Sequence, residues 1–242
     1  MIRALLLALA LVSAQASAAD ISSTRIESFD DDPAVTRFGE LQFVGGLKLS
    51  GLHSLSAIRF LPGGERFIAV ADDGHWVDGE ITRDGRGRLS GVADVTVTPM
   101  KNANGVHAKK VAMDAESMTI KDGRILVGFE NKHRIDQYPL EGHDNATAKP
   151  GPDFLIPRNE LRANGGLEAM ATNADGRTVV VAEKSIDSDG NLFAAIISGP
   201  GKGIFKVVKN QEFDVTDAAF LPDGDLLLLE RRFSLLGGIG MR

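Results

Sequence analysis

Carboxylates recur at matching positions along this chain, and their grouping points to cation chemistry. One set lies where an apolar segment begins, at Glu116, Glu168 and Asp217, with Ser56 at the matching place earlier in the chain. Carboxylates gathered in one place raise one another's pKa unless a cation or hydrogen bonds compensate them. Oxygen-only ligands suit a hard ion such as Ca²⁺ better than they suit Zn²⁺. The pattern therefore predicts a metal site.

A second set of acids follows the next apolar segment of each repeat. Its members are Asp72 or Asp73, Glu130, Glu183 and Glu230. From the two sets together we expect the following Ca²⁺ ligands: Glu116, Glu168, Asp217, Glu183 and Glu230. The alternative for each acid is that it accepts hydrogen bonds from backbone amides and from neighbouring basic residues.

Basic residues accompany the second set of acids. They are Lys132, Arg134, Lys184, Arg231 and Arg232. Because a guanidinium can bind a phosphate or a carboxylate through two hydrogen bonds, Arg231 is a candidate for holding an anionic substrate. The alternative is a ring of salt bridges between repeats.

His107, in the segment 105–109, is the histidine we assign to acid–base catalysis,. A histidine in a loop can instead be simply solvated. With Glu116, Glu168 and Arg231 it would form the catalytic group of a metal-dependent hydrolase. The sequence contains no G-x-S-x-G, no H-E-x-x-H and no dinucleotide fingerprint after a strand, which removes support from serine-hydrolase, zinc-protease and dinucleotide readings,.

The elements that must position these residues are predicted to be β-strands. Runs such as 67–70, 125–127, 179–181 and 226–229 are rich in aliphatic residues, and each follows a glycine-containing turn,. The segment ahead of each turn repeats at a spacing of about fifty residues, which is typical of propeller blades. The four repeated segments are Leu55–Phe60, Ala115–Ile120, Leu167–Ala171 and Thr216–Phe220.

We therefore predict an all-β fold, a β-propeller of four-stranded blades, with a β-sandwich as the competing architecture. The start of one strand and the end of its antiparallel partner lie at the same end of a sheet. Both sets of acids should thus meet at one mouth of the central channel. Four repeats make either a small ring or an incomplete one.

The N-terminal residues read as a cleavable signal peptide over 1–18, followed by one domain over 19–242,. This predicts a periplasmic or secreted protein with no integral membrane segment after cleavage. With 0 cysteines the chain has no disulfides or thiolate ligands,. A net charge of -6 argues against nucleic acid as the main partner and favours cationic ligands,.

The repeated phrases resemble the phytase-like family of exported bacterial proteins, which are described as having esterase-like activity. The phrases that carry the resemblance are Asp114-Ala-Glu116-Ser-Met118, Gly166-Leu-Glu168-Ala-Met170, Asp214-Val-Thr-Asp217-Ala and the segment Leu221 to Arg231. The resemblance covers most of the mature chain. It implies a propeller related to calcium-dependent phytases, with calcium as the ion and a phosphate or carboxylic ester as the substrate. Members of the family are typically longer at the C-terminus, so the resemblance leaves open whether the ring closes within this sequence.

Two further functions remain open at the level of the sequence. One is a non-enzymatic binding or scaffold propeller of the cell envelope, since no nucleophile signature is present. The other is a lactonase-like propeller, since acid-lined metal channels also occur in enzymes that open lactones.

Overall fold

Short strands separated by tight turns are the main secondary structure of the residues that the structure describes. The computed structural model describes residues 21–242 except 53, 211 and 235–237. The signal peptide predicted over 1–18 lies outside the described residues. At the start of the described chain, β1 (Ser22–Ile26) pairs antiparallel with β4 (Gly46–Ser50), and β2 (Arg37–Phe38) pairs with β3 (Leu41–Gln42).

Four antiparallel sheets follow in chain order, and we call them blades 1 to 4. Blade 1 contains β5 (Leu55–Phe60), β6 (Arg66–Ala71), β7 (His75–Arg83) and β8 (Leu89–Pro99). Blade 2 contains β9 (Ala115–Lys121), β10 (Arg124–Phe129), β11 (Arg134–Pro139) and β12 (Lys149–Pro150). Blade 3 contains β13 (Leu167–Thr172), β14 (Thr178–Ile186), β15 (Leu192–Ser198) and β16 (Gly203–Val207). Blade 4 contains β17 (Asp214–Phe220), β18 (Leu226–Ser234) and β19 (Gly238–Met241).

Each blade is a meander, because every strand pairs with the next one along the chain,. The turns between the first two strands use the glycines that the sequence indicated: Gly123 and Gly176 have positive φ angles of 69° and 77°,. In the described part of the chain, the connections contain three short 3₁₀ helices, at Lys110–Ala112, His143–Asn145 and Arg158–Glu160. Among the described residues, no helix is long and apolar enough to cross a membrane.

The first strands of the blades pack side by side, with β9 against β5, β13 against β9, and β17 against β13. The apolar core lies between the blades rather than inside one sheet. Trp76, Met118 and Phe129 fill the contact of blades 1 and 2. A second apolar cluster joins blade 2 to blade 3, and a third joins blade 3 to blade 4. This arrangement is a four-bladed β-propeller, and it excludes the β-sandwich alternative.

Blade 1 reaches blades 3 and 4 through a side chain. The guanidinium of Arg59 on β5 donates to both carboxylate oxygens of Asp217 on β17, at 2.8 and 2.7 Å. The same group donates to the carbonyl oxygens of Met170, at 2.7 Å, and Ala218, at 3.2 Å. A single charged side chain therefore connects the first strand of blade 1 to the first strand of blade 4.

Candidate functional site

A β-bulge interrupts the first strand of every blade at the same place. In blade 2 the pairing with β10 passes from Ser117 to Ala115, so Glu116 is the extra residue. In blade 3 the pairing with β14 passes from Ala169 to Leu167, so Glu168 is the extra residue. An extra residue bends the strand and can re-aim its side chain, and bulges are common beside active sites. We call the four extra residues the bulge residues: Ser56, Glu116, Glu168 and Thr216.

A second set of equivalent positions follows the second strand. In blades 1 to 3, the last residue of the second strand that pairs with the first strand is followed directly by an acid. In blade 4 the corresponding ladder pair is Val215 with Glu230, so the equivalent residue is Arg231. We call these four positions the strand-end residues: Asp72, Glu130, Glu183 and Arg231.

The register corrects the sequence alignment of the fourth repeat. Asp217 and Glu230 were expected to be equivalent to Glu116 and Glu130, but each lies one residue away from the equivalent position. Acidic residues alone match the fourth repeat one position away from the correspondence that the bulge fixes. Thr216 and Arg231 occupy those places instead.

All eight bulge and strand-end residues line one cavity with a volume of about 700 Å³. The cavity is formed by all four blades. Its carboxylates are Asp72, Asp114, Glu116, Glu130, Glu168, Glu183 and Asp217. Its cationic side chains are Lys110, Lys184 and Arg231. The excess of acids makes the cavity a favourable place for a cation.

Most of these carboxylates are compensated by neighbouring donors. Asp114 accepts a hydrogen bond from Lys110 Nζ at 2.6 Å and another from Asn131. Glu130 accepts from the backbone amides of Gly165 and Gly166. The remaining compensated acids are Glu183, paired with Lys184 at 2.8 Å, Asp72, paired with Lys110 at 3.1 Å, and Asp217, held by Arg59.

Glu116 and Glu168 are different, because no basic side chain pairs with either of them in the described part of the chain. Burial, followed by the charge of Asp114, raises the pKa of Glu116 to about 8, although a hydrogen bond with Ser56 opposes the rise. Burial, followed by the charges of Glu116 and Glu183, raises the pKa of Glu168 to about 9. At neutral pH these carboxyls hold protons unless a cation replaces them.

A group of oxygens with ligand spacing lies at the same place. Carboxylate oxygens of Asp114, Glu116 and Glu130 are all within 4.8 Å of one another. Donors of this kind fit a hard cation such as Ca²⁺. Asp114 was missed as a candidate ligand, although the pattern Asp114-Ala-Glu116 places it just before the strand. The sequence expectation had relied on one acid at each repeat position and not on its neighbours.

The predicted site residues divide into two groups. Five of them line the cavity: Glu116, Glu168, Glu183, Asp217 and Arg231. Glu230 does not, since side chains alternate along β18 and its carboxylate is bound by Arg242 at 2.5 Å,. His107 is also outside: its Nδ1 lies 3.1 Å from the carbonyl oxygen of Met100, and its ring contacts the His75 ring at 4.8 Å.

The fold and the cavity define the chain as a β-propeller with an acid-lined site on the ring. The sequence model of the family Phytase-like, described as "Esterase-like activity of phytase", matches residues 50–242. The chain belongs to this family. No curated protein matches it.

The solved structures that match this chain include a β-propeller domain and WD40 repeats. The β-propeller domain of Myceliophteria thermophila Cps50 (Swd1) is 12% identical, with 83% of this chain and 61% of that chain covered and a TM-score of 0.39. The WD40 repeats of RRP9 are 10% identical, with 77% and 53% covered and a TM-score of 0.39. Citrobacter koseri AztD is 9% identical, with 80% and 63% covered and a TM-score of 0.39. The chain thus spans less than two thirds of the length of each of these proteins.

Proposed function

We propose that this protein is a hydrolase of phosphate or carboxylic esters that works with a divalent cation, Ca²⁺, in the acid-lined cavity. Membership of a family described by esterase-like activity supports the reaction class. The observation that carries the cation is the pair Glu116 and Glu168, two mostly buried carboxyls without basic partners. Such groups are costly to ionise unless a cation accompanies them.

The residues best placed to hold the ion are Glu116 and Glu168, with oxygens of Asp114 and Glu130 beside Glu116. Asp217 and Glu183, which were also expected as ligands, are already engaged by Arg59 and Lys184 and are assigned a secondary part. When bound, Ca²⁺ would supply Lewis-acid polarisation of the ester and a lowered pKa of bound water.

The side chains of the protein bind and orient the substrate around that position. Arg231 faces the same cavity and would orient the anionic part of the substrate,. The carboxyls of Glu116 and Glu168 would exchange their protons for the cation. His107, which lies outside the cavity, is given no role in this scheme.

We also propose that the protein is exported, as the N-terminal pattern predicts. Extracellular calcium modules bind the ion with dissociation constants on the order of 10⁻⁴ to 10⁻³ M, which suits sites of this kind outside the cytoplasm. Fractionation of cells that express the full chain tests the proposal. A full-length chain that stays in the cytoplasm would contradict it.

Ester hydrolysis tests the proposed function. The rates of p-nitrophenyl acetate and p-nitrophenyl phosphate hydrolysis are measured with calcium and with a chelator, for the wild type and for Glu168→Gln. We expect the chelator and the substitution each to lower kcat/KM for the better ester by about 100-fold, as is common when a stabilising group is removed from an active site.

Glu141→Gln, a change of the same type at an exposed loop position, is the matched control and should leave the rate unchanged. Hydrolysis that is indifferent to both chelator and Glu168→Gln would refute the cation-dependent reaction. Failure to hydrolyse either ester would favour a non-enzymatic binding propeller.

A further inference from the structure

The strand-end positions have opposite charges in different blades. Asp72, Glu130 and Glu183 are acids, whereas the equivalent position in blade 4 is Arg231. The acids not paired with basic side chains lie on blades 2 and 3. The charge of the cavity is therefore unevenly distributed. The cation-binding half lies on blades 2 and 3, and blade 4 contributes a guanidinium.

The other cationic side chains that line the cavity already form ion pairs with acids of the protein. Lys110 Nζ lies 2.6 Å from Asp114 and 3.1 Å from Asp72. Lys184 Nζ lies 2.8 Å from Glu183 and 3.8 Å from Asp214. Their charges are balanced by acids of the protein, so neither is available to neutralise a substrate anion without breaking an existing pair.

Arg231 is the exception. Its side chain is exposed to the cavity and forms no hydrogen bond or ion pair with any residue that the structure describes. A guanidinium in that state presents two parallel N–H groups, which match one carboxylate or one phosphate.

We infer that Arg231 is the specificity-determining residue of the cavity, and that the substrate is an ester carrying one anionic group and not a polyphosphorylated molecule. The inference rests on the hydrolase proposed above and names the substrate class of the same site. One free guanidinium neutralises one anionic group, and each further phosphate would lie beside acids whose lysine partners, Lys110 and Lys184, are already engaged. Like charges brought together in an interface oppose binding strongly.

Anion binding in the absence of calcium tests the inference separately from turnover. Calorimetric titration with phenylphosphonate, benzoate and inositol hexakisphosphate, in buffer with a chelator, probes the blade 4 half of the cavity alone. Benzoate and phenylphosphonate distinguish a carboxylate from a phosphate-like group. We expect at least one of these two to bind, and Arg231→Gln to weaken that binding by 10-fold or more.

Arg232→Gln is the matched control, because Arg232 is the next residue on β18 but pairs with Glu212 at 3.1 Å and does not line the cavity. The affinity of the Arg232→Gln variant for the small anion should stay within twofold of that of the wild type. The inference is overturned if neither small anion binds, if Arg231→Gln leaves the affinity unchanged, or if the Arg231-dependent binding of inositol hexakisphosphate is the tightest. Anion binding that depends on Arg231 without any ester hydrolysis would instead refute the proposed reaction alone.

Discussion

At the scale of single residues, the environment of an acid decides its behaviour more than its position in the repeat. Glu130 and Glu168 both line the cavity. Glu130 accepts hydrogen bonds from two backbone amides, whereas burial and neighbouring acids raise the pKa of Glu168 to about 9. The sequence shows two similar glutamates. The difference comes from donors contributed by another loop, which residue type and spacing do not reveal.

Glu168→Gln should stabilise the protein in the absence of calcium. The pKa of Glu168 is raised from 4.5 to about 9 on folding, so the wild type loses stability as pH rises from about 4.5 towards 9,. Glutamine is neutral at every pH and removes that loss. At pH 8 with a chelator, Tm should therefore rise by roughly 2–8 °C, measured by circular dichroism.

Melting curves at a lower pH separate the effect of the raised pKa of Glu168 from a general change in stability. Near pH 4.5 the variant and the wild type should melt together, and Glu141→Gln should follow the wild type throughout. A Glu168→Gln variant that is less stable than the wild type at pH 8 would show that the carboxylate is compensated.

At the scale of the strands, the hairpin turns could be predicted from the sequence and the bulges could not. Acid-glycine pairs predict the turns, and the alternation of apolar residues predicts the strands. A bulge is a change of pairing between two strands, so it has no local signature in either one. This is why Asp217 and Glu230 were placed one residue from the true equivalents, Thr216 and Arg231.

Gly128→Ala should disturb the bulge of blade 2. A Cβ at this position would lie 2.3 Å from Ser117 Oγ and 3.4 Å from the carbonyl oxygen of Leu167. Ser117 Oγ donates to that carbonyl at 2.6 Å in a buried contact between blades 2 and 3. We expect a loss of about 1–3 kcal/mol in the free energy of unfolding, as overpacking of a core causes. Urea denaturation measures it.

Gly85→Ala is the control, since nothing lies within 4 Å of its added Cβ and its φ is not in the left-handed region. It should change the free energy of unfolding by less than about 0.5 kcal/mol. Equal stability of the two variants would contradict the close packing at Gly128.

His143 forms a pH-dependent contact between blades 1 and 2. Its Nδ1 lies 2.9 Å from the carbonyl oxygen of Leu140 and its Nε2 lies 3.1 Å from Asp78, so both nitrogens face acceptors and both must donate,. Burial opposes the charge, but Asp78, Leu140 and the nearby Asp144 outweigh it and raise the pKa of His143.

A raised pKa means that the stabilisation by His143 is complete below about pH 6.5 and disappears as pH rises through the raised value. His143→Gln should therefore cost about 1–2 kcal/mol at pH 6 and clearly less at pH 9. Urea midpoints of the two proteins at both pH values give the difference. A cost that is independent of pH would mean that only packing against Trp76, at 4.9 Å between rings, is lost.

At the scale of the whole molecule, the general architecture follows from the sequence because a period of about fifty residues with repeated turns is a property of the chain itself. The contact between the first and last blades does not follow from it. Arg59 sits in an apolar strand, and nothing in its neighbourhood along the chain predicts a partner 158 residues away. That pairing depends on the angle by which each blade is rotated from the previous one about the propeller axis.

Arg59→Met should weaken the ring as a whole. Arg59 and Asp217 have side chains only 17% and 19% exposed, so removing the guanidinium leaves a largely buried carboxylate unpaired. The expected loss is about 2–4 kcal/mol in the free energy of unfolding, measured by urea denaturation. Adding Asp217→Leu should recover part of that loss, because the unpaired charge is then removed.

The control removes an arginine from an exposed pair on the same sheet. Arg66 and Glu80 lie 3.9 Å apart with side chains 66% and 45% exposed, so Arg66→Met should cost no more than about 1 kcal/mol,. If Arg59→Met costs no more than this control, the side chain does not hold the ring together.

Calorimetric titration with Ca²⁺ measures whether the cavity binds a divalent cation through Glu116 and Glu168. We predict one site per chain, with an affinity that rises from pH 6 to pH 8 because protons compete for carboxyls with pKa values of about 8 and 9,. Glu168→Gln should weaken binding by at least 10-fold, and Glu141→Gln should leave it unchanged. No calcium binding by the wild type, or binding that Glu168→Gln leaves intact, would show that these carboxyls do not hold the ion.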